Sequence, residues 1–228
     1  RTRIAFMAIL LALVANIGVN LMVSSFRTAF TNWLDYRLAA DIYVVGAQDE
    51  DFFNIDLPGV TEVFQTAHQT LRWQGKTISV RGIDPQDPSY NDPELFSRLL
   101  AESINTSATS GLLQQWQSGT GVFINEQMRH RQGVIPGNEV VLTMPDGSQS
   151  YRVLGTVHDY GNTQFEIYLP SSELHQNWPS AAVTGVGLVL DGSRSEAQVI
   201  EHLVRVGVSA ERIRSQADVK RLASTIFE

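Results

Sequence analysis

The sequence predicts an α+β protein: a long N-terminal helix followed by a mixed α/β body. Three observations carry this. Residues 4–23 hold no charged side chain. From there a helical period continues through residues 24–40 without Pro or Gly. Beyond residue 41, short β-rich runs alternate with short helical patterns, separated by Pro, Gly and Asp turns.

The opening stretch RTRIAFMAILLALVANIGVNLMVSSFRTAFTNWLDYRLAADIYV decides most of the functional reading. At 1.5 Å per residue, 20 uncharged residues cover the roughly 30 Å of a bilayer's hydrocarbon core. Ala8, Ala12, Asn16 and Asn20 recur every fourth residue, a small and polar stripe of the kind that packs membrane helices together. A cleaved signal sequence fits less well. Its best cleavage site, after Ala15, puts Leu13 where a small residue is wanted, and the apolar run continues past it. Arg1 and Arg3 precede the run, which orients that end to the cytoplasm and sends the rest outward. Phe26, Phe30, Trp33, Leu34 and Leu38 then fall on one helix face, predicting a stalk that continues the span out of the membrane to about residue 39.

In the body, DIYVVG reads as a strand, and the acidic stretch after it as a helical turn ended by Pro58-Gly59. Residues 60–71 and 77–83 form a hairpin about WQGK. Residues 84–92 are a Pro/Asp loop, 93–102 a helix, and the Ser/Thr-rich ESINTSATSG a mobile surface loop. Residues 121–157 give strand, short helix, strand, PDGS turn and strand. FEIYLP is a strand, PSSELHQNW a short helix and VTGVGLVLD a strand. SRSEAQVIEHLVRVG is a helix, with Ser193 as its N-cap and Ala197, Ile200, Leu203 and Val204 as its apolar face. RSQADVKRLASTIFE is helical to the end.

Charge narrows the function classes. The net charge is −7, yet the first 40 residues hold four arginines against Asp35 alone. The remaining 13 basic and 23 acidic residues make the body strongly acidic, which argues against nucleic-acid binding and against adhesion to anionic lipid. No cysteine is present, so disulfides, thiolate metal sites and thiol catalysis are excluded.

A search for chemistry leaves little. QGKT ends like a phosphate-binding loop, but Thr70 stands where the first glycine belongs and two strands flank the turn. Lys76 is therefore a solvated turn residue. The five histidines show no metal-ligand spacing. His158-Asp159 is the one tempting acid/base pair, and reads more simply as a strand running into a loop. Asp49, Glu50 and Asp51 read as a surface charge run rather than a cation site. No catalytic, cofactor or metal residue is assigned, and the chain is expected not to be an enzyme.

The order of the motifs does carry a resemblance. SFRTAFTNWLDYRLAADIYV resembles the segment that leaves the membrane in the MacB/FtsX-like ABC transporter permeases. LPGVTEVFQTAHQTLRWQGKTISVRGIDP is similar to that family's PGV, hairpin and GIDP pattern, and GVFINEQMRHRQGVIPGNEVVLTMPDGSQSYRVLGTVHDYGN to its later stretch. RSQADVKRLASTIFE resembles its segment returning to the membrane.

The resemblance implies a MacB-like periplasmic core domain of two subdomains. Residues 1–40 form the transmembrane helix and stalk, and 41–84 plus 183–215 a discontinuous α/β subdomain. Residues 85–182 form an inserted β-rich subdomain, and 216–228 a helix returning to the membrane. It further implies a permease of the bacterial inner membrane, with residues from about 24 onward in the periplasm. Its partners would be a separate cytoplasmic ATPase subunit that binds ATP, the permease's other membrane helices, and a periplasmic adaptor or substrate protein. Its function would be mechanotransmission without catalysis. The missing initiator Met is expected of a segment cut from a longer chain, and a second apolar run is expected soon after Glu228. Two readings compete: a ligand-binding sensor or adaptor domain of a membrane-anchored receptor, and an anchored enzyme working through His158 and Asp159.

Overall fold

The computed structural model describes residues 2–46, 52, 55–102, 104–160 and 162–224. Helix α1 runs unbroken from Thr2 to Arg37, 36 residues and about 54 Å long. It ends two residues short of the expected point, with Arg37 in its last turn opposing the negative end of the helix dipole. Strand β1, Ile42–Val45, follows at once.

Strand β2 (Val60–Trp73) and strand β3 (Lys76–Ile83) form the expected hairpin. Its two-residue turn takes left-handed backbone at both Gln74 (φ 50°) and Gly75 (φ 77°), the geometry that matches the twist of the flanking strands. The QGKT stretch is thus a hairpin end. Lys76 there donates to Gln132 Oε1 at 2.8 Å.

Residues 84–92 are not wholly loop. Asp87 caps a short helix, α2 (Pro88–Asn91), and Asp92 caps α3 (Pro93–Leu99), each Asp accepting backbone N–H groups ahead of a proline at the helix start.

The Ser/Thr-rich stretch is a larger correction. It begins α4, Thr106–Gln117, capped by Asn105, whose side chain accepts from the Ala108 N–H at 2.9 Å. Thr109, Leu113 and Trp116 recur at helical spacing and are buried, so tertiary packing overrides the weak helix propensity of Ser and Thr.

Strand β4 (Gly121–Asn125), α5 (Glu126–Gln132), β5 (Glu139–Met144) and β6 (Gly147–Val157) follow the expected order. So do β7 (Phe165–Pro170), α6 (Ser171–Asn177) and β8 (Ala182–Leu190). Helix α7 spans Glu196–Arg205. Its N-cap is Ser195, two residues beyond Ser193, because Gln198 completes a reciprocal capping box there. Its buried face is accordingly Val199 and Leu203, while Val204 is exposed. Ile213–Ser215 is a strand, β9, so the helix starts later than expected, as α8 over Gln216–Ser224. The charge run at Asp49, Glu50 and Asp51, and residues 225–228, lie outside the described residues.

The strands form one sheet in the order β5-β6-β4-β7-β3-β2-β8-β1-β9. Among the described residues only β3·β7 and β4·β6 are parallel. Strand β4 is buried on both faces, and its side chains divide the core. Val122 and Ile124 join Met128 of α5 and Leu174 of α6 on one side. Phe123 joins Tyr90, Phe96, Leu113 and Trp116 of α2, α3 and α4 on the other. A third cluster packs α7 beneath β1 and β8 through Val199, Leu203, Ile42 and Leu188. Helix α6 lies so close to β3 that a Cβ at Gly82 would stand 2.7 Å from Leu174 Cδ2.

Trp116 is fully buried and donates from Nε1 to the Tyr168 carbonyl at 3.1 Å. Trp116→Ala should therefore lower unfolding free energy by about 3–5 kcal/mol, against about 1 kcal/mol for the cap variant Asn105→Ala. Denaturant titration of the full chain in detergent checks the ranking.

Candidate functional site

Among the described residues, one helix is long and apolar enough to cross a membrane, spanning Ala5–Arg37 within α1. Its most apolar window is not buried against the protein at all, and Phe6, Leu11, Leu21 and Met22 are exposed. Ala12, Asn16 and Asn20 are likewise exposed on the helix. Asn20 Nδ2 donates to Asn16 Oδ1 at 2.8 Å and to the Asn16 carbonyl at 3.0 Å, so the two amides are paired along the helix. The side chain of Ala8 lies outside what the structure describes.

The predicted stalk residues differ in role. Phe30 and Leu34 are buried, Trp33 and Leu38 half-buried, and Phe26 exposed on one side. Phe26 and Trp33 each meet the Tyr160 ring edge-on, with centroids 6.3 and 5.7 Å apart. Tyr160 in turn stacks on His158 at 5.5 Å. Trp33 Nε1 donates to the His158 carbonyl at 2.9 Å. The HD pair of the sequence therefore lies directly beneath the stalk.

A helix ends with carbonyls that lack intrahelical partners. Here the body supplies them. Ser89 Oγ of α2 donates to the Arg37 carbonyl at 3.3 Å, and Gln216 Nε2 of α8 donates to the Leu38 carbonyl at 2.6 Å. Arg98 of α3 reaches back to Tyr36 Oη at 3.1 Å, with its guanidinium over the Tyr36 ring. Arg37 lies over the ring of fully buried Tyr90, 5.4 Å from its centroid. Burial pushes the Tyr90 hydroxyl up to about 12, against which Arg37 pulls it down.

Helix α8 runs back alongside α1. Gln216 meets Leu38, and Lys220 Nζ meets Asp35 Oδ1 at 2.8 Å, so rising numbers on one helix pair with falling numbers on the other. Gln216 N–H also bonds the Asp41 carbonyl at 2.9 Å. Asp41 accepts from the Leu190 N–H at 2.8 Å, which ties the stalk's exit to β8.

Below the stalk lies a buried polar network that sequence reasoning missed. Arg81 of β3 pairs with Glu166 of β7 at 2.6 Å, and the Glu166 side chain is only 2% exposed. Ser79 Oγ adds a bond at 3.3 Å. Tyr168 Oη lies 2.8 Å from Glu166 Oε2 and 3.0 Å from Asp159 Oδ2. Burial alone would raise the Glu166 carboxyl, but Arg81 and the Tyr168 hydrogen bond outweigh it and hold it below the usual range. Asp159 is pushed the other way, first by burial and then by the charge of Glu166. Nothing in the spacing of residues 81, 159, 166 and 168 announces this cluster; the parallel β3·β7 pairing brings Arg81 to Glu166 and Tyr168, and the segment after β6 brings Asp159.

No family model matches the chain. Over its whole length it is 24% identical to the uncharacterized ABC transporter permease protein Rv0987 of Mycobacterium tuberculosis, of which it spans 28%. Among solved structures it is similar to the periplasmic region of MacB from Actinobacillus actinomycetemcomitans. That match has 12% identity and a TM-score of 0.47, over 82% of this chain and 94% of that one. A second is the extracellular domain of the noncanonic ABC-type transporter YknZ from Gram-positive bacteria, with 12% identity and a TM-score of 0.43, over 77% and 98%. A third is a domain of a permease protein from Porphyromonas gingivalis, with 15% identity and a TM-score of 0.42, over 75% and 83%. The whole-length similarity to an ABC transporter permease coincides with the permease resemblance read from the sequence.

Two ion pairs at this joint should behave differently. Removing Arg81 leaves the Glu166 carboxylate buried and uncompensated, so Arg81→Met should cost about 3–5 kcal/mol. Lys220→Ala breaks a pair open to solvent and should cost below about 1 kcal/mol. The sign with pH follows from the depressed Glu166 carboxyl. Its stabilisation is present above the unfolded value of about 4.3 and is lost as pH falls through the folded value. Arg81→Met should therefore flatten the acid limb of a stability-pH profile.

Proposed function

We propose that the chain is the extracytoplasmic module of an ABC transporter permease, with the membrane helix that precedes it, and that it transmits motion rather than catalysing a reaction. The observation that carries this reading is the joint. An unbroken 36-residue helix leaves an apolar, unburied segment and ends against side chains of the body. A displacement of residues 4–23 along or about the axis is then delivered to α2, α3 and β8 without a hinge. Whole-length similarity to a permease supports the assignment, and α8 running back along α1 suits a module held between two membrane helices.

In this reading residues 4–23 pack in the bacterial inner membrane, with the stripe of Ala8, Ala12, Asn16 and Asn20 against the permease's other helices. Residues from about 24 onward are periplasmic. ATP is bound and hydrolysed by a separate cytoplasmic subunit, and the body acts on a periplasmic substrate or adaptor protein. Residues 41–84 with 183–215 serve as the subdomain attached to the stalk. Residues 85–182 serve as the inserted subdomain, and the two are welded through the β3·β7 pairing.

The test is mechanical. In the complete permease with its ATPase, inserting Gly-Gly after Ser25 interrupts the stalk just before Phe26, the first residue that contacts the body. Transport coupled to the body should fall at least about tenfold while ATP hydrolysis continues. Full coupling through the interrupted helix would sink the proposal. An inserted Ala-Ala, which preserves helix but rotates the body by about 200°, separates loss of rigidity from loss of phase.

A further inference from the structure

The hydrogen-bond inventory beneath the stalk does not close with ordinary protonation states. A phenol has one hydrogen to donate. The Tyr168 hydroxyl nevertheless lies within bonding distance of two carboxyl oxygens, 2.8 Å from Glu166 Oε2 and 3.0 Å from Asp159 Oδ2. If both acids were ionised, one carboxylate would face the phenol oxygen lone pair to lone pair, in a site where Tyr168 is 3% exposed. A second proton resolves this.

Arg81 and Ser79 both serve Glu166 Oε1, so Glu166 is the acid that keeps its charge and takes the Tyr168 hydrogen. We propose that Asp159 is protonated at rest and donates to the Tyr168 oxygen, forming a proton-dependent latch between the loop beneath the stalk and the sheet. Burial and the charge of Glu166 raise the Asp159 carboxyl while Arg81 holds Glu166 down, which agrees with placing the charge on Glu166.

The position of this proton gives it reach. Asp159 lies between His158, whose carbonyl accepts from Trp33, and Tyr160, whose ring meets Phe26 and Trp33. Around the latch stand Arg81, Glu166 and Tyr168 from the sheet, Arg37 from the stalk, and Asp87 and Tyr90 from the α2 region. Glu126 of α5 faces His158 at 3.1 Å. Because the folded Asp159 value is raised, the tie is whole at low pH and is lost as pH rises through that value. The ionised acid would then sit beside Glu166 with one phenol hydrogen between them. The location of the proton stands apart from the proposed transport role; only its effect on transmission rests on that role.

The full chain in lipid nanodiscs, labelled with 13C at aspartate carboxyls and with 5-fluorotryptophan, tests this. One aspartate resonance should titrate above the ordinary value of about 3.9 and be absent from Asp159→Asn. Tyr168→Phe keeps the ring but removes the acceptor of the Asp159 proton, so it should lower that midpoint. A rise would mean that the phenol donates to Asp159, and the latch would be wrong. The Trp33 fluorine signal should shift with the Asp159 midpoint in the wild type and in His158→Gln, and stay fixed in Asp159→Asn. A Trp33 shift that survives Asp159→Asn, or vanishes in His158→Gln, would assign the switch to the histidine and overturn the proposal. So would an Asp159 that is fully ionised by about pH 5. The wild-type and Tyr168→Phe titrations decide the matter even if Asp159→Asn does not fold.

Discussion

The structure depends on how the last turn of α1 is finished. A helix of this length delivers a fixed direction, but its terminal carbonyls need partners, and in an exposed stalk water would supply them. In this protein Ser89 and Gln216 do so, from segments far apart in the chain. That satisfies the backbone and fixes the helix to two regions of the body at once. The aromatic contacts of Phe26 and Trp33 with Tyr160, and the hydrogen bond from Trp33 to His158, extend the same attachment down the helix side. The helix end is thus held by hydrogen bonds and ring contacts from several segments of the chain.

The body beneath the joint is built on one sheet. A single mixed sheet runs from β5 to β9, and near its middle β3 and β7 pair in parallel. That pairing brings together Arg81, Glu166 and Tyr168, charged and polar groups in an otherwise apolar layer. Ion pairs taken out of water add little net stability, but breaking one by removing a partner is costly. The cluster therefore resists sliding of β3 against β7 more than it adds to the depth of the fold.

Much of this was legible from the residues in order. The unbroken apolar run, the period of Phe26, Phe30, Trp33 and Leu34, and the turn at Gln74-Gly75 are local signals, and each became the expected element. The failures are equally specific. Helix α4 was hidden because Thr and Ser favour loops, and only burial of Thr109, Leu113 and Trp116 recruits them. The α7 cap moved to Ser195 because the reciprocal Gln198 contact outweighs position alone. The joint was half legible: the stalk face could be read, but Ser89, Gln216 and Tyr160 could not be linked to it. Asp159 was noticed for the wrong reason, as the partner of His158, whereas its hydrogen-bond partner is Tyr168, nine positions on.

The antiparallel return of α8 along α1 has one more consequence. The roughly 180 residues between Asp35 and Lys220 begin and end at the same place. Their removal or replacement would leave two neighbouring helix ends needing only a short connection, and closing a long loop costs little more entropy than closing a short one. The body is thus a detachable head on a two-legged mount. A lineage can reshape or exchange the segment between them while the paired helix ends stay as they were.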